Sequence, residues 1–181
     1  MIFIKNKFEK ISDYSILHIT KRNGDKFQIL IDTEDIDLLK DYSWHVAWNW
    51  SAKDYYACYT KYFGTIDGKP KYKAIFLHRL ILNIDNEYVV DHINHNTLDN
   101  RKSNLRVTNG KNNVRHRSGK NSNNTSGYRN VSWNNYYQKW IVQLQIDGKN
   151  VILGKFDDVD EAGEFAKEMR EKYYGEFAGK N

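Results

Sequence analysis

Cysteine is almost missing from this chain: among 181 residues only Cys58 carries a thiol. That excludes an internal disulfide and any zinc site built from several thiolates. No apolar run approaches the roughly 20 residues that a membrane span needs. The opening MIFIKNKFEK lacks the long apolar stretch of a secretory signal, so a cytoplasmic location without membrane contact is the expectation. The Asn-x-Ser/Thr triplets at Asn123, Asn124 and Asn130 then carry no glycan.

A second absence is local. Between Asn100 and Ile146 there is no Asp or Glu, while Arg101, Lys102, Arg106, Lys111, Arg115, Arg117, Lys120, Arg129 and Lys139 place nine positive charges there. The remainder of the chain holds 19 basic against 23 acidic residues, so the net charge of +5 is concentrated in this block. Such a block fits a polyanionic partner, although a solvated basic linker has the same composition.

What is present supports real cores: 40% of residues are apolar and 14% aromatic, enough for one ordinary domain or two small ones. Residues 1–75 read as β-rich. SILHIT and KFQILI flank Asn23-Gly24, a hairpin signal, and Asp32-Thr33 opens a short helical pattern through Ile36, Leu39 and Tyr42. Trp44, Val46, Trp48 and Trp50 then alternate before YYACYTKYF, as in a sheet face packed on a core. Residues 76–118 read as strand, loop, strand and helix: Val89-Val90 leads into Asp91-His92, a polar Asn-rich loop follows, Asn104–Val107 is the second strand and 109–117 the helix. GKNSNNTSG at 119–127 has linker composition.

Residues 128–181 read as a three-stranded antiparallel sheet packed on one helix. SGYRNVSW, KWIVQLQI and VILGKF are the strands, with Trp140, Val142, Leu144 and Ile146 sharing a face. Asp158 and Glu161 stand at capping-box positions ahead of the apolar stripe Val159, Ala162, Phe165, Ala166, Met169 and Tyr173. The apolar strand face meets the helix, which leaves the polar face to bind a partner.

The joint occurrence of HRL, VDHINHN, LDNRKSNLR and a following basic segment resembles the HNH, or ββα-metal, nucleases, particularly phage and intron homing enzymes. Asn104 and Asn113 lie 13 and 22 positions after Asp91, a spacing similar to theirs. Carried over residue by residue, the resemblance implies that Asp91 and Asn113 ligate one divalent cation, that His92 is the general base, and that Asn104 holds the His92 ring. Asn112 is the neighbouring alternative to Asn113. Spacing carries little of this, because 14 of the residues between Asn86 and Asn135 are asparagine.

The chemistry wants those residue types. A neutral imidazole can take a proton from water near pH 7, and hard oxygen donors suit Mg²⁺ or Mn²⁺ as Lewis acids toward phosphate. Of the other histidines, His95 is read as an exposed loop residue, and His78, beside Arg79, as structural or as a neighbour of the phosphate. His116 would face the DNA backbone, and His18 and His45 are read as structural.

SGYRNVSW, Lys139-Trp140, LGKF and DEAGEFAKEMREKYYGEFA resemble the ethylene-response-factor (Apetala-two type) DNA-binding domain, which also occurs in mobile HNH nucleases. In that family the sheet enters the major groove. The corresponding positions are Arg129, Ser132, Trp133, Gln143, Gln145 and Lys155. Ser132, Gln143 and Gln145 depart from the charged residues usual in plants, so the plant target does not transfer. Glutamine reads adenine through a bidentate pair, which favours an A·T-containing site.

The sequence as a whole is read as an α+β metal-dependent endonuclease of double-stranded DNA, of the nicking or homing kind, in which a basic linker joins the nuclease core to a DNA reader. The expected backbone contacts are Arg79, Arg101, Arg106, Lys111, Arg115, Arg117, Lys120 and Lys139. One Asp-His-Asn-Asn set in one chain implies a monomer on DNA. The rival reading is a sequence-specific DNA-binding regulator with an inactive HNH site; an RNA-binding protein is a third.

Overall fold

The computed structural model describes residues 6–85, 87–108, 110, 115–116 and 119–180, and its contacts divide the chain into two compact units, 1–108 and 109–181. Both are β-rich with few helices, an α+β composition. Among the described residues no helix is long and apolar enough to cross a membrane.

Unit 1 begins with the sheet β1 (Lys7–Lys10), β2 (Tyr14–Thr20) and β3 (Lys26–Asp32), ordered β1-β2-β3 and antiparallel. Its hairpin closes at the expected Asn23-Gly24, where Lys21 N donates to Asp25 O and Gly24 N to Lys21 O. Alternation buries Leu17 and Ile19 from β2 with Ile29 and Ile31 from β3. A 3-10 turn at Thr33–Asp35 and the single-turn helix α1 (Ile36–Leu39) follow.

The second sheet is β4 (His45–Asn49), β5 (Asp54–Ile66) and β6 (Lys69–Phe76), antiparallel in that order. Trp44 and Val46 enter the core as the alternation expects, but Trp48 is 40% and Trp50 84% exposed. The stripe therefore leaves the core toward the end of β4, and Trp50 lies in the turn beyond it. Helix α2 (Leu77–Leu82) buries Leu77, His78 and Ile81 and ends on Asn83 in the left-handed conformation. It leads to the two-stranded sheet β7 (Val89–His92) and β8 (Leu105–Thr108). Leu105 lies in the same apolar cluster as Leu17, Ile29, Trp44 and Leu77, so one core supports all three sheets.

Unit 2 holds β9 (Val131–Asn134), β10 (Lys139–Ile146) and β11 (Lys149–Phe156), antiparallel in the order β11-β10-β9, with helix α3 (Val159–Tyr174) packed on them. Strand β9 starts only at Val131. The SGYRN part of the expected strand is instead a tight loop, in which Asn124 Nδ2 and Ser126 Oγ both donate to the carbonyls of Tyr128 and Val131. Asp158 caps α3 as expected, accepting from the amides of Asp160 and Glu161. Of the helix expected over 109–117, only Gly110, Arg115 and His116 are described residues.

Gly163 sits under the Tyr128 ring: a Cβ there would come within 2.5 Å of Cδ1. The ring is held by the Tyr128 hydroxyl, which donates to Asp160 Oδ1 at 2.6 Å. Helix propensity alone would make Gly163→Ala stabilising by about 1 kcal/mol. Overpacking against a tethered ring dominates, and denaturant unfolding of the G163A variant should show a net loss of about 1–3 kcal/mol. A gain in stability would show that the ring moves freely.

Candidate active site

Asp91 and His92 stand at the end of the β7–β8 pair. Asp91 faces Arg106 and His92 faces Leu105 in the antiparallel register. Arg106 reaches across the ladder to Asp91 Oδ2 with both Nε, at 2.8 Å, and Nη2, at 2.7 Å. Both side chains are largely removed from solvent.

The loop between the strands is held from several sides. Asn104 Oδ1 accepts from Asn94 N at 2.9 Å, and its Nδ2 donates to Asp99 O at 2.8 Å. Ile93 N donates to Asn104 O. Asp99 takes two bonds from Arg101 and one from Asn94. Burial would raise the Asp99 carboxyl, but those bonds outweigh it and hold the group below the ordinary carboxylate value. The far side of the loop is joined to the first two sheets: Leu30 N donates to Leu98 O, Asn100 N to Leu30 O, and Thr97 Oγ1 to Tyr55 O.

His92 is 5% exposed. Tyr56 and His78 approach its ring edge-on, with centroids at 6.0 and 5.4 Å, and His78 in turn stacks on Phe76 at 5.6 Å. Burial pushes the imidazole below its ordinary value, opposed by a hydrogen bond to Asn100 and by the carboxylates of Asp91, Asp99 and Asp54. Nε2 has no hydrogen-bond partner among the described residues, so the Asn100 bond falls on Nδ1. Asn100 Nδ2 donates to Thr97 O at 3.3 Å, which leaves its Oδ1 as the acceptor for the ring. A proton on Nδ1, given to the Asn100 amide oxygen, would leave a lone pair on Nε2.

Asn104 was expected to hold the His92 ring. The structure places its side chain in the loop and brings Asn100 to the ring. Asn100, Asp99 and Tyr56 are the site residues that motif reading missed, while His78, weighed there as structural or as a neighbour of the phosphate, lies edge-on to the His92 ring. Asn100 and Asp99 lie within LDNRKSNLR, but nothing in an asparagine-rich stretch marks one asparagine over another. Asn113, its alternative Asn112, Lys111 and Arg117 lie outside the described residues.

Several expected DNA contacts have partners inside their own unit. Arg79 donates to the carbonyls of Asp85 and Tyr88, Arg101 is bidentate on Asp99, and Lys139 pairs with Asp157. Arg115 donates to Gln145 O and lies over the Tyr174 ring. Arg129, expected on the reading face, is 2% exposed and donates to the carbonyls of Ala178, Lys180 and Arg115, tying the C-terminal segment to the unit. A guanidinium enclosed by carbonyls does not reach a phosphate.

On the unit 2 sheet, Ser132, Ile141 and Lys155 form one cross-strand row, and Gln143 and Gln145 alternate with the core residues Val142 and Leu144. Trp133 pairs with Trp140 and so stands on the opposite face from Ser132. Lys155 lies over the Tyr137 ring, and Lys120 is exposed. Among the described residues no group of three or more His, Cys, Asp or Glu side chains stands ready to hold a metal.

The chain is similar to a viral HNH endonuclease. It is 33% identical over 111 residues to a protein of Acanthamoeba polyphaga mimivirus named an uncharacterized HNH endonuclease, across 59% of this chain and 54% of that one. The present chain therefore matches about half the length of that relative. No family model matches it, and no solved structure matches it significantly.

His78 gives the site a measurable acid response. Burial first, then the neighbouring His92 and Arg79, push its pKa down to about 3 from an ordinary 6.5. Between those pH values the unfolded chain binds a proton that the folded chain refuses, so stability falls on acidification, by about 1.4 kcal/mol per pH unit for this one group. Denaturant unfolding at pH 7, 6, 5 and 4 should show that slope, and His78→Phe should make it shallower by about the same amount. An unchanged slope in H78F would mean that His78 is protonated in the fold.

Proposed function

We propose that the chain is a metal-dependent endonuclease of the HNH type that hydrolyses a phosphodiester bond in duplex DNA, with residues 128–181 as a separate DNA reader. One observation carries the reading: a buried imidazole Nε2 with no partner among the described residues, adjacent in sequence to the Asp91 carboxylate, in a chain similar to a protein named an HNH endonuclease.

His92 is the general base. Its ring is kept neutral by burial and oriented by Asn100, so the Nε2 lone pair can accept a proton from water, a contribution of about 10²–10⁴ in rate. Hydrolysis then requires that one water reach Nε2. Asn104 acts as a positioning residue, because it fixes the loop that carries Asn100. The donor types fit a hard divalent cation, Mg²⁺ or Mn²⁺: a carboxylate oxygen from Asp91 and, by resemblance, an amide oxygen from Asn113. When bound, such an ion supplies Lewis-acid neutralisation at the phosphate and the leaving oxygen. In unit 2, the strand face that carries Ser132, Gln143, Gln145 and Lys155 around Ile141 is the reading face. A monomer with one such site aligns one water with one phosphate at a time, and therefore nicks a preferred strand first. Its expected place of action is the cytoplasm, that of a host cell if a phage encodes it.

One observation favours the rival, a DNA-binding regulator with an inactive site: Arg106 already engages Asp91 Oδ2. Substitution separates the two. His92→Ala should cleave about 10²–10⁴ more slowly at unchanged DNA affinity, and Asp91→Asn should also lose its response to added Mg²⁺. Cleavage by H92A at the wild-type rate would remove His92 from the chemistry. Strand-specific end labels should show one cut before the other; both cuts at the earliest time points, with a dimer in solution, would overturn the nicking order.

A further inference from the structure

The second sheet extends beyond the core as a two-stranded ribbon. From Lys61 to Lys73 nearly every residue is exposed, including Tyr62, Phe63, Ile66 and Tyr72 at 53–62%. Packing in unit 1 does not require this segment, and the nuclease chemistry proposed above does not use it.

Its two faces differ. Lys61 pairs with Lys73, Tyr62 with Tyr72, Thr65 with Pro70 and Ile66 with Lys69, with a bulge between Tyr62 and Thr65 where Gly64 takes φ +95°. Cross-strand partners share a face, and so do alternate residues along a strand. Lys61, Lys69, Lys71 and Lys73 therefore stand on one side, and Tyr62 and Tyr72 on the other, where their rings lie 5.4 Å apart. Lys61 Nζ lies 5.4 Å from the Phe63 centroid on the lysine side. None of the four lysines has an ion-pair partner among the described residues. The only acid between Lys61 and Lys73 is Asp67, at the tip. Like charges directly opposite one another, as in Lys61 and Lys73, destabilise a ladder, so the isolated fold gains nothing from this arrangement. A polyanion laid against that face would reverse the sign of the effect.

We propose that the Lys61–Lys73 ribbon is a duplex-DNA-binding arm that holds substrate beside the His92 site. A two-stranded ribbon fits a major groove about 12 Å wide. The base of the ribbon is at the site itself, where Tyr56 of β5 touches the His92 ring and Phe76 of β6 stacks on His78. From those residues to Lys69 and Ile66 is about 24–33 Å of strand, which covers about 7–10 base pairs to one side. The choice of DNA as partner rests on the nuclease reading; the presence of a polyanion-binding face does not.

The test is equilibrium binding of the full chain to a duplex in EDTA, across a salt series. K61Q/K71Q/K73Q changes only exposed side chains and relieves like-charge repulsion, so it should fold at least as well as wild type. It should lower the slope of log K against log salt by about 2–3, and weaken binding at 0.1 M salt by about 10²-fold. The control K7Q/K10Q/K26Q, on exposed positions of β1 and β3, should leave the slope nearly unchanged. An unaltered slope in the ribbon variant overturns the proposal. So does an equal loss in the control, which would report net charge rather than a site, and so does a loss seen with polyglutamate but not with DNA. Cleavage is scored separately with Mg²⁺: a chain that cuts DNA with an unaltered slope rejects the arm and keeps the nuclease. A chain that binds through the ribbon and never cuts keeps the arm and rejects the nuclease.

Discussion

The ion pair between Asp91 and Arg106 is the constraint on which the site depends. Both side chains are largely removed from water, and Arg106 occupies the cross-strand position where the β7–β8 register must place it. Breaking a buried ion pair by removing one partner costs about 3–5 kcal/mol. The pair thus fixes the register, and the register fixes where the loop from Ile93 to Asn104 leaves and returns. From that follow the Asn104 bonds, the position of Asn100 and its bond to the His92 ring.

The first 75 residues have a clear part in this arrangement. The loop is bonded to Leu30 of β3 and Tyr55 of β5, and the Tyr56 ring lies edge-on to the imidazole. A two-stranded sheet of four residues per strand would be marginal alone. Here it inherits stability from the core that also holds the other two sheets. The ribbon is a continuation of the same strands, so the elements that support the site also project beyond it.

Periodic and capping signals were legible in the sequence: the Asn23-Gly24 hairpin, the Val89–His92 strand, the cap at Asp158 and the β10 face each rest on a local pattern that tertiary contacts reinforce. Charge was much less legible. A stretch without acidic residues reads as a free basic surface, yet Arg101, Lys102, Arg106 and Lys139 find Asp99, Glu34 with Asp35, Asp91 and Asp157, and Arg129 finds carbonyls. Four of those five pair with acids from outside the stretch, and of these acids only Asp99 is a near neighbour in sequence. Asn100 was hidden for the opposite reason, as one asparagine among many. The late start of β9 came from side chains of Asn124 and Ser126 capturing the carbonyls that a strand would have used.

The most direct test of the account is the reaction of the unaltered chain with duplex DNA, with the ends of the product mapped. With Mg²⁺ or Mn²⁺ the account predicts nicks carrying 5′-phosphate and 3′-hydroxyl ends, and no product in EDTA. DNA left intact in the presence of either cation, or cut equally well in EDTA, would contradict it.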